Sequence, residues 1–361
     1  MTNESLLPVG LAPNLLDHFY RGGPKIAALR GITLTSEHQP EEWIAATVAR
    51  AGEAENGLAR TAAGEVLRDL VAKDPAGWIG DPGGAPAGLG DGDTGMLLKL
   101  LDAGQRLPVH VHPDREFASR HLDCAYGKTE AWFVLDATDD ATDDAAVYLG
   151  WNTDIDAAEL AERRDAQDSA WMLSRLHRIE VRPGDGILVP AGTAHAIGQG
   201  VFVAEVQEPT DLSILLEWSV TTSTREDAHL GLGFEAVMPA VSHAAMPAAR
   251  LAELHIATDL DARCAHPRST LPAEADPYFR LDVIDPPDGV AVGLSPGFAA
   301  VIVLDGHGEL TADASTIPLR RGDVLAVPFA FGAWTVRGPV RLLAARPGAG
   351  WPQSLTAGAG S

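Results

Sequence analysis

The sequence predicts a mainly β chain made of two barrel- or sandwich-like units with an additional helical portion. Three observations carry this. From Ile179 to Trp218 short apolar runs alternate with Gly and Pro turns, and the same pattern returns after a Pro-rich joint near Pro267–Pro277 and continues to about Pro347. The two stretches also echo one another: "VRPGDGILVPAGTAHAI" (Val181–Ile197) resembles "LRRGDVLAVPFAFGAWTV" (Leu319–Val336), with a Gly-Asp turn, an apolar strand, Val-Pro, a small turn and a second strand in each. Helical periodicity is confined to a few segments between and before them.

In chain order, "EEWIAATVAR" (Glu41–Arg50) reads as a strand or short helix, and Leu58–Lys73 as an amphipathic helix. Asp74–Gly95 is a Gly/Pro/Asp loop, followed by the strand "MLLKLLDA". "PDREFASRHL" after His112 reads as a helix, with Pro113 at its start, acidic residues in its first turn and basic ones near its end. "EAWFVLDA" and "AVYLGW" are strands on either side of the acidic turn "DATDDATDDA". Asp156–His177 has helical period, and Ala228–Met246 contains helical pattern. The expected organisation is an N-terminal segment plus first barrel over 1–225, a helical linker over 226–270, a second, degenerate barrel over 271–350, and a disordered tail over 351–361.

Composition limits the partners. The 361 residues carry a net charge of −23, and lysine occurs only at Lys25, Lys73, Lys99 and Lys128. Such an acidic surface argues against nucleic acid or an anionic membrane. Cys124 and Cys264 lie far apart, as expected of reduced thiols in a cytoplasmic protein. The N-terminus "MTNESLLPVG" has no leader pattern, and no run of 18 apolar residues occurs.

The chemistry gathers at "LPVHVHPDRE" (Leu107–Glu116). Side chains at i and i+2 of a strand share a face, so His110 and His112 aim two imidazoles at one point. Aligning Pro190 with Pro328 sets His195 opposite Ala333, so the histidine belongs to one copy of the repeated unit, which points to chemistry rather than structure. Glu116 and Glu130 compete for the carboxylate position. Pro113-Asp114 turns Glu116 off the strand, whereas Glu130 heads the next strand.

The spacing Gly104-x5-His110-x-His112, followed by Gly184-x5-Pro190-x-Gly192-x2-His195, resembles the paired motifs of cupin barrels. That resemblance implies two cupin (jelly-roll-like) β-barrels with their histidines converging on one metal in the first. "HPDREFA", "GKTEAWFVL", "PGDGILVPAGTAHAIGQG" and "EVQEPTD" further resemble the successive signatures of type I phosphomannose isomerases, and "RGG" and "EEW" extend the likeness over nearly the whole chain. The resemblance implies one divalent metal, zinc by preference, held by His110 (where the family has Gln), His112, Glu130 and His195. It also implies a substrate-contacting Lys128, Lys99 at the active-site edge, and Glu205 as the base of an aldose–ketose isomerisation of mannose 6-phosphate or a related sugar.

Two positions depart from the family pattern. Leu215 stands where relatives carry an Arg, and Pro108 where they carry a Ser. An aliphatic side chain cannot stabilise a dianion, so the phosphorylation state of the substrate stays open, with Arg225, Arg21 or Arg30 as replacements from another direction. Two rival readings stay open with it: a non-catalytic sugar or sugar-phosphate binding cupin, and a cupin dioxygenase-like iron enzyme. "GDGDTG" (Gly90–Gly95) matches G-x-G-x-x-G in form alone; it leads into a strand and carries two Asp, so it reads as a loop. "DATDDATDD" reads as a solvated turn.

Overall fold

The structure is a computed structural model, and it describes residues 6–80, 91–138, 145–313 and 315–357. The acidic turn expected after Asp136 lies largely outside the described residues, as does Gly90. Three antiparallel sheets account for the described strands. The first has seven strands, in the order His255–Ala257, Asp185–Val189, Glu130–Asp136, Phe202–Gln207, Leu97–Asp102, Glu41–Ile44 and Leu15–Leu16. The second has five: Ile214–Leu215, His110–Val111, His195–Ile197, Ala146–Trp151 and Leu176–Glu180. The third, of nine strands, is built mainly from the segments after Arg268 and also takes in Val9–Gly10, which pairs with Ala326 and Leu325. This is the cupin-like, mainly β architecture expected, and both copies of the repeated unit form strands, Asp185–Val189 with His195–Ile197 and Val324–Val327 with Trp334–Arg337.

The central strands of the seven-stranded sheet, among them Asp185–Val189, Phe202–Gln207 and Leu97–Asp102, are buried on both faces, and the faces differ in kind. Leu98, Leu100, Ala204 and Val206 join Phe279, Leu281, Ile302 and Leu343 in one apolar cluster that ties this sheet to the nine-stranded one. The alternate positions carry the equally buried polar residues Lys99, Glu205, Gln207 and Glu130 among apolar ones such as Leu101 and Val203. Period-2 alternation thus divides core from cavity rather than core from solvent. In the nine-stranded sheet, Val301, Val303, Leu310, Trp334, Val336 and Leu342 belong to a second, separate apolar cluster.

Helices are shorter than the periodicity suggests. The Leu58–Lys73 segment is helical only over Leu67–Lys73, because Gly64 turns with φ 88° and Arg60 bridges to Val66 first. Asp156–His177 divides into Ala157–Asp165 and Ser169–Ser174, each capped by an Asp side chain, Asp156 or Asp168; Gln167 at φ 54° breaks the run and the chain is already in a strand by Leu176. Within Ala228–Met246 the four-residue helix Phe234–Val237 forms. The helix after His112 spans Arg115–His121, and the Asp114 carboxylate accepts from Phe117 N–H at 2.7 Å. Trp351, in the stretch expected to be a loose tail, packs on Gly95 and donates to Tyr126 at 2.9 Å.

The joint between the units depends on one glycine. A Cβ at Gly186 would sit 1.7 Å from the Thr270 carbonyl oxygen, and Thr270 is fully buried and bound to Leu281 O through its N–H and its hydroxyl. Gly186→Ala therefore forces backbone apart from backbone. The expected loss is about 1–3 kcal/mol in urea-melt stability, in the range of overpacked cores. A melt unchanged within about 0.5 kcal/mol, the level of an ordinary surface change, would refute this account of the joint.

Candidate metal centre and active site

Three strands of two sheets, with the turn that follows one of them, deliver the candidate ligands. His110 and His195 are directly paired across neighbouring strands, and His112 follows at i+2 on the edge that turns into the Asp114-capped helix. Glu130 opens its strand on the facing sheet, opposite Gln207 and Val189. One potential ligand atom from each of His110, His112, Glu130 and His195 lies within 4.8 Å of the others, and all four residues are buried; this is the one such group among the described residues. The imidazole centroids are 4.0–4.9 Å apart. Glu116 is elsewhere: it is exposed on the helix surface and pairs with Arg120 at 2.5 Å.

Each histidine is oriented from behind. The Nδ1 atoms lie 2.8 Å from the backbone carbonyls of Pro108, Leu212 and Thr193, for His110, His112 and His195 respectively. A carbonyl can only accept, so Nδ1 carries the proton and Nε2 presents its lone pair inward. His195 Nε2 is buried without a hydrogen-bond partner among the described residues. Burial keeps His110 well below its usual pKa, and burial with the neighbouring Lys128 charge brings His112 to about 3. Burial alone would raise Glu130, but the Lys128 ammonium and His112 hold its carboxyl well below the usual range. Neutral imidazoles and an ionised carboxylate are the protonation states a metal requires.

The group already holds a cation. Lys128 Nζ donates to His112 Nε2 and Glu130 Oε2, both at 2.7 Å. Three inward imidazole lone pairs, one carboxylate and an orphaned Nε2 fit a divalent metal. Trp132 Nε1, two residues along the strand, steadies the other Glu130 oxygen at 3.1 Å.

Beside this group runs a row that sequence reasoning reached only in part. Trp43, Lys99, Glu205 and Trp132 face one another across four adjacent strands. Lys99 sits 3.3 Å from Glu41, 3.4 Å from Glu205 and 5.0 Å over the Trp43 ring. Burial opposes the Lys99 charge, but the Glu41, Glu205 and Asp211 carboxylates outweigh it and hold the ammonium above its ordinary range. Glu41 also accepts from Tyr20 at 2.5 Å and from Trp43 at 2.8 Å. Glu205 goes the other way: burial, then the Glu130 charge, push its carboxyl up to about 7 against Lys99 and Lys128. Its Oε1 makes no hydrogen bond among the described residues and is met only by the Lys99 ammonium at 3.4 Å.

Part of both groups borders one cavity of about 460 Å³, lined by His110, Lys128, Glu130, Glu41, Lys99 and Glu205 together with Leu215 and Pro108, while His112 and His195 lie behind its wall beside His110 and Glu130. The structure thus places His110, His112, Glu130, His195, Lys99, Lys128 and Glu205 close together, and leaves Glu116, Arg21, Arg30 and Arg225 away from the cavity. It adds Glu41 and Arg50, which the sequence did not single out. Glu41 had a signal in its Glu-x-Trp spacing, the same as Glu130-x-Trp132, but only the pairing of Trp43 with Lys99 gives that spacing meaning.

No family model matches the chain. Among characterised proteins, it is 27% identical over 249 residues to mannose-6-phosphate isomerase ManA of Bacillus subtilis (strain 168), covering 67% of this chain and 72% of ManA. It is 34% identical over 205 residues to the probable mannose-6-phosphate isomerase GmuF of the same strain, covering 56% of this chain and 59% of GmuF. In sequence, this chain is similar to mannose-6-phosphate isomerases at 27–34% identity. The fold agrees. The crystal structure of the Bacillus subtilis mannose 6-phosphate isomerase aligns with a TM-score of 0.70 at 24% identity, over 94% of this chain and all of that one. A mannose 6-phosphate isomerase bound with zinc and yttrium aligns with a TM-score of 0.66 at 16% identity, over 95% of this chain and all of that one. Within such an isomerase family, the departures at Leu215 and Pro108 are notable because both side chains face the cavity.

Proposed function

We propose that this chain interconverts an aldose and its ketose by proton transfer between C1 and C2, with mannose 6-phosphate and fructose 6-phosphate as the preferred pair. The observation that carries the reading is the cluster of His110, His112, Glu130 and His195, which reaches through His110 and Glu130 a cavity that also presents Lys99, Lys128 and Glu205. These four ligands would hold one divalent ion, with zinc the best match to an imidazole-rich, four-donor set. Such an ion, when bound, polarises the sugar carbonyl and stabilises the enediolate charge.

The chain's own residues do the rest. The Glu205 carboxylate takes the proton from C2 of the open-chain aldose, the C–H electron pair becomes the C1=C2 bond, and the C1=O π pair moves to O1, which gains a proton to give the enediol. The O2 hydroxyl then gives up its proton, balancing the one gained at O1, as C2=O forms and the C1=C2 pair takes the Glu205 proton at C1 to complete the ketose. A carboxyl near pKa 7 is suited to both directions, because it gives up and accepts a proton at similar cost. Lys99 and Lys128 supply donors for the hydroxyl oxygens on either side of the reacting carbons. The two strands and their cross-strand register hold these groups rigidly, since all three are buried. A buried carboxylate with a pKa near 7 beside the candidate metal ligands favours the catalytic reading over the non-catalytic one.

The test is isomerisation in deuterated water. Metal-loaded protein given mannose 6-phosphate, free mannose and the corresponding ketoses should interconvert at least one pair and incorporate deuterium at C2 of the aldose or C1 of the ketose. Absence of both interconversion and exchange with every sugar would sink the isomerase reading.

A further inference from the structure

The isomerase reading leaves the far end of the substrate without a partner. Positions 108 and 215, where the family pattern supplies a Ser and an Arg, line the cavity as proline and leucine. The arginines that sequence reasoning offered in their place are occupied elsewhere. Arg21 donates to Gln105 at 3.1 Å, and Arg30 binds both oxygens of Glu42 at 2.9 Å. Arg225 pairs with Asp165 at 3.2 Å and lies over Phe234. None of the three borders the cavity.

One arginine does border it. Of the cavity's cations, Lys99 pairs with Glu41 and Glu205, and Lys128 pairs with Glu130. Arg50 has no carboxylate partner among the described residues; its one side-chain hydrogen bond there is from Nη1 to the Asp17 carbonyl at 2.7 Å. A half-buried guanidinium with donors to spare at a cavity wall is matched by an anion with several acceptor oxygens. The two cavity carboxylates outside the metal group and the Lys99 row do not claim it. Asp227 accepts from the Thr224 N–H and hydroxyl, both at 2.8 Å, and Asp211 accepts from Ala51 N–H at 3.3 Å.

The loop that carries Arg50 is held in place. Arg50 N–H donates to Asn56 O at 2.7 Å and Arg50 O accepts from Glu53 N–H at 2.9 Å. Asn14 clamps the loop's far end through Gly57 O at 2.7 Å, and Gly57 packs on Trp43, the neighbour of Lys99. The guanidinium is therefore tied to the same strand that borders the reacting centre.

We infer that Arg50 is the specificity residue that reads the substrate's phosphate dianion, taking over from the wall now occupied by Leu215. Ser213, Thr222 and Ser223 line the same cavity and bring hydroxyls suited to the remaining phosphate oxygens. The inference rests on the sugar-isomerase reading, and it commits that reading to a phosphorylated substrate.

The experiment compares wild type, Arg50→Gln and Arg50→Lys, all metal-loaded, by calorimetry with mannose 6-phosphate and inorganic phosphate and by steady-state kinetics with mannose 6-phosphate and free mannose. Loss of a charge-assisted fork predicts that Arg50→Gln weakens mannose 6-phosphate binding about 30–100-fold, mainly through KM rather than kcat. The preference for the phosphorylated over the free sugar should fall by the same factor, and competitive inhibition by inorganic phosphate should disappear. Arg50→Lys should recover part of the affinity, because it keeps the charge and loses the fork. The inference is overturned if wild type shows no preference for the phosphorylated sugar, if Arg50→Gln binds it within about twofold of wild type, or if both sugars lose equally, which would report a collapsed loop. Phosphate-dependent binding through Arg50 without turnover of either sugar would leave the inference standing and remove the isomerase reading.

Discussion

Glu130→Gln is expected to strip the metal and abolish isomerisation, whereas Glu116→Gln leaves both as in the wild type. Glutamine keeps the shape of Glu130 and one oxygen, so the barrel has no steric reason to change. What it removes is the single negative charge among three neutral imidazoles, the charge that balances a divalent ion in a buried site. Loss of a group that merely supports a ligand weakens metal binding by about 10–100-fold, so loss of a charged ligand should cost more than about 100-fold. The change also leaves the buried Lys128 ammonium without its carboxylate at 2.7 Å, and a broken buried pair destabilises by about 3–5 kcal/mol. A thermal melt must therefore accompany the metal analysis, to show that the protein assayed is folded. Glu116 has no comparable part, since it is exposed and bound to Arg120. Metal-to-protein ratios after dialysis against a mild chelator decide the matter. Retention by Glu130→Gln with loss by Glu116→Gln would reverse the assignment of the carboxylate.

The metal group was legible in the sequence because its geometry is local. The i, i+2 rule places His110 and His112 on one face, Pro113-Asp114 announces the turn that carries Glu116 away, and the repeated Gly-Asp…Pro-x-Gly unit marks the strand of His195. What could not be read is whatever depends on register between distant strands. Nothing in "EEW" reveals that Trp43 faces Lys99, or that Glu41 will share that ammonium with Glu205. Arg50 was out of reach for a second reason. It sits on an irregular loop whose path is set by backbone hydrogen bonds to Asn56 and by the Asn14 side chain, and loop contacts have no period to detect. The shortened helices have a similar cause, since positive φ at Gly64 and Gln167 ends runs that apolar spacing alone would continue. Periodicity reports which face is buried. It does not report that the buried face of Phe202–Gln207 is divided between an apolar joint and a polar cavity, because Glu205 reads as a solvent-facing residue until its neighbours are known.

Glu205→Gln is expected to lower kcat by about 10²- to 10⁴-fold, the usual worth of a positioned base, while metal content stays at the wild-type level. The pH profile separates this role from a structural one. The base must be ionised to take the C2 proton, so activity should fall as pH decreases through the Glu205 pKa. Burial and the Glu130 charge bring that pKa to about 7, and the positive charge of a bound divalent ion lowers it, so the acid limb of kcat/KM belongs at or below about pH 7. Lys99 is one of the two cations holding the value down. Lys99→Met removes that charge and should move the acid limb to higher pH, in addition to any loss in binding. A carboxylate that only braced the sheet would give no such displacement. If Glu205→Gln keeps more than about a tenth of wild-type kcat, well above what loss of a base allows, the proton is carried by another group. The same conclusion follows if its residual activity retains the acid limb, and Lys128, which borders the same cavity, is then the group to examine.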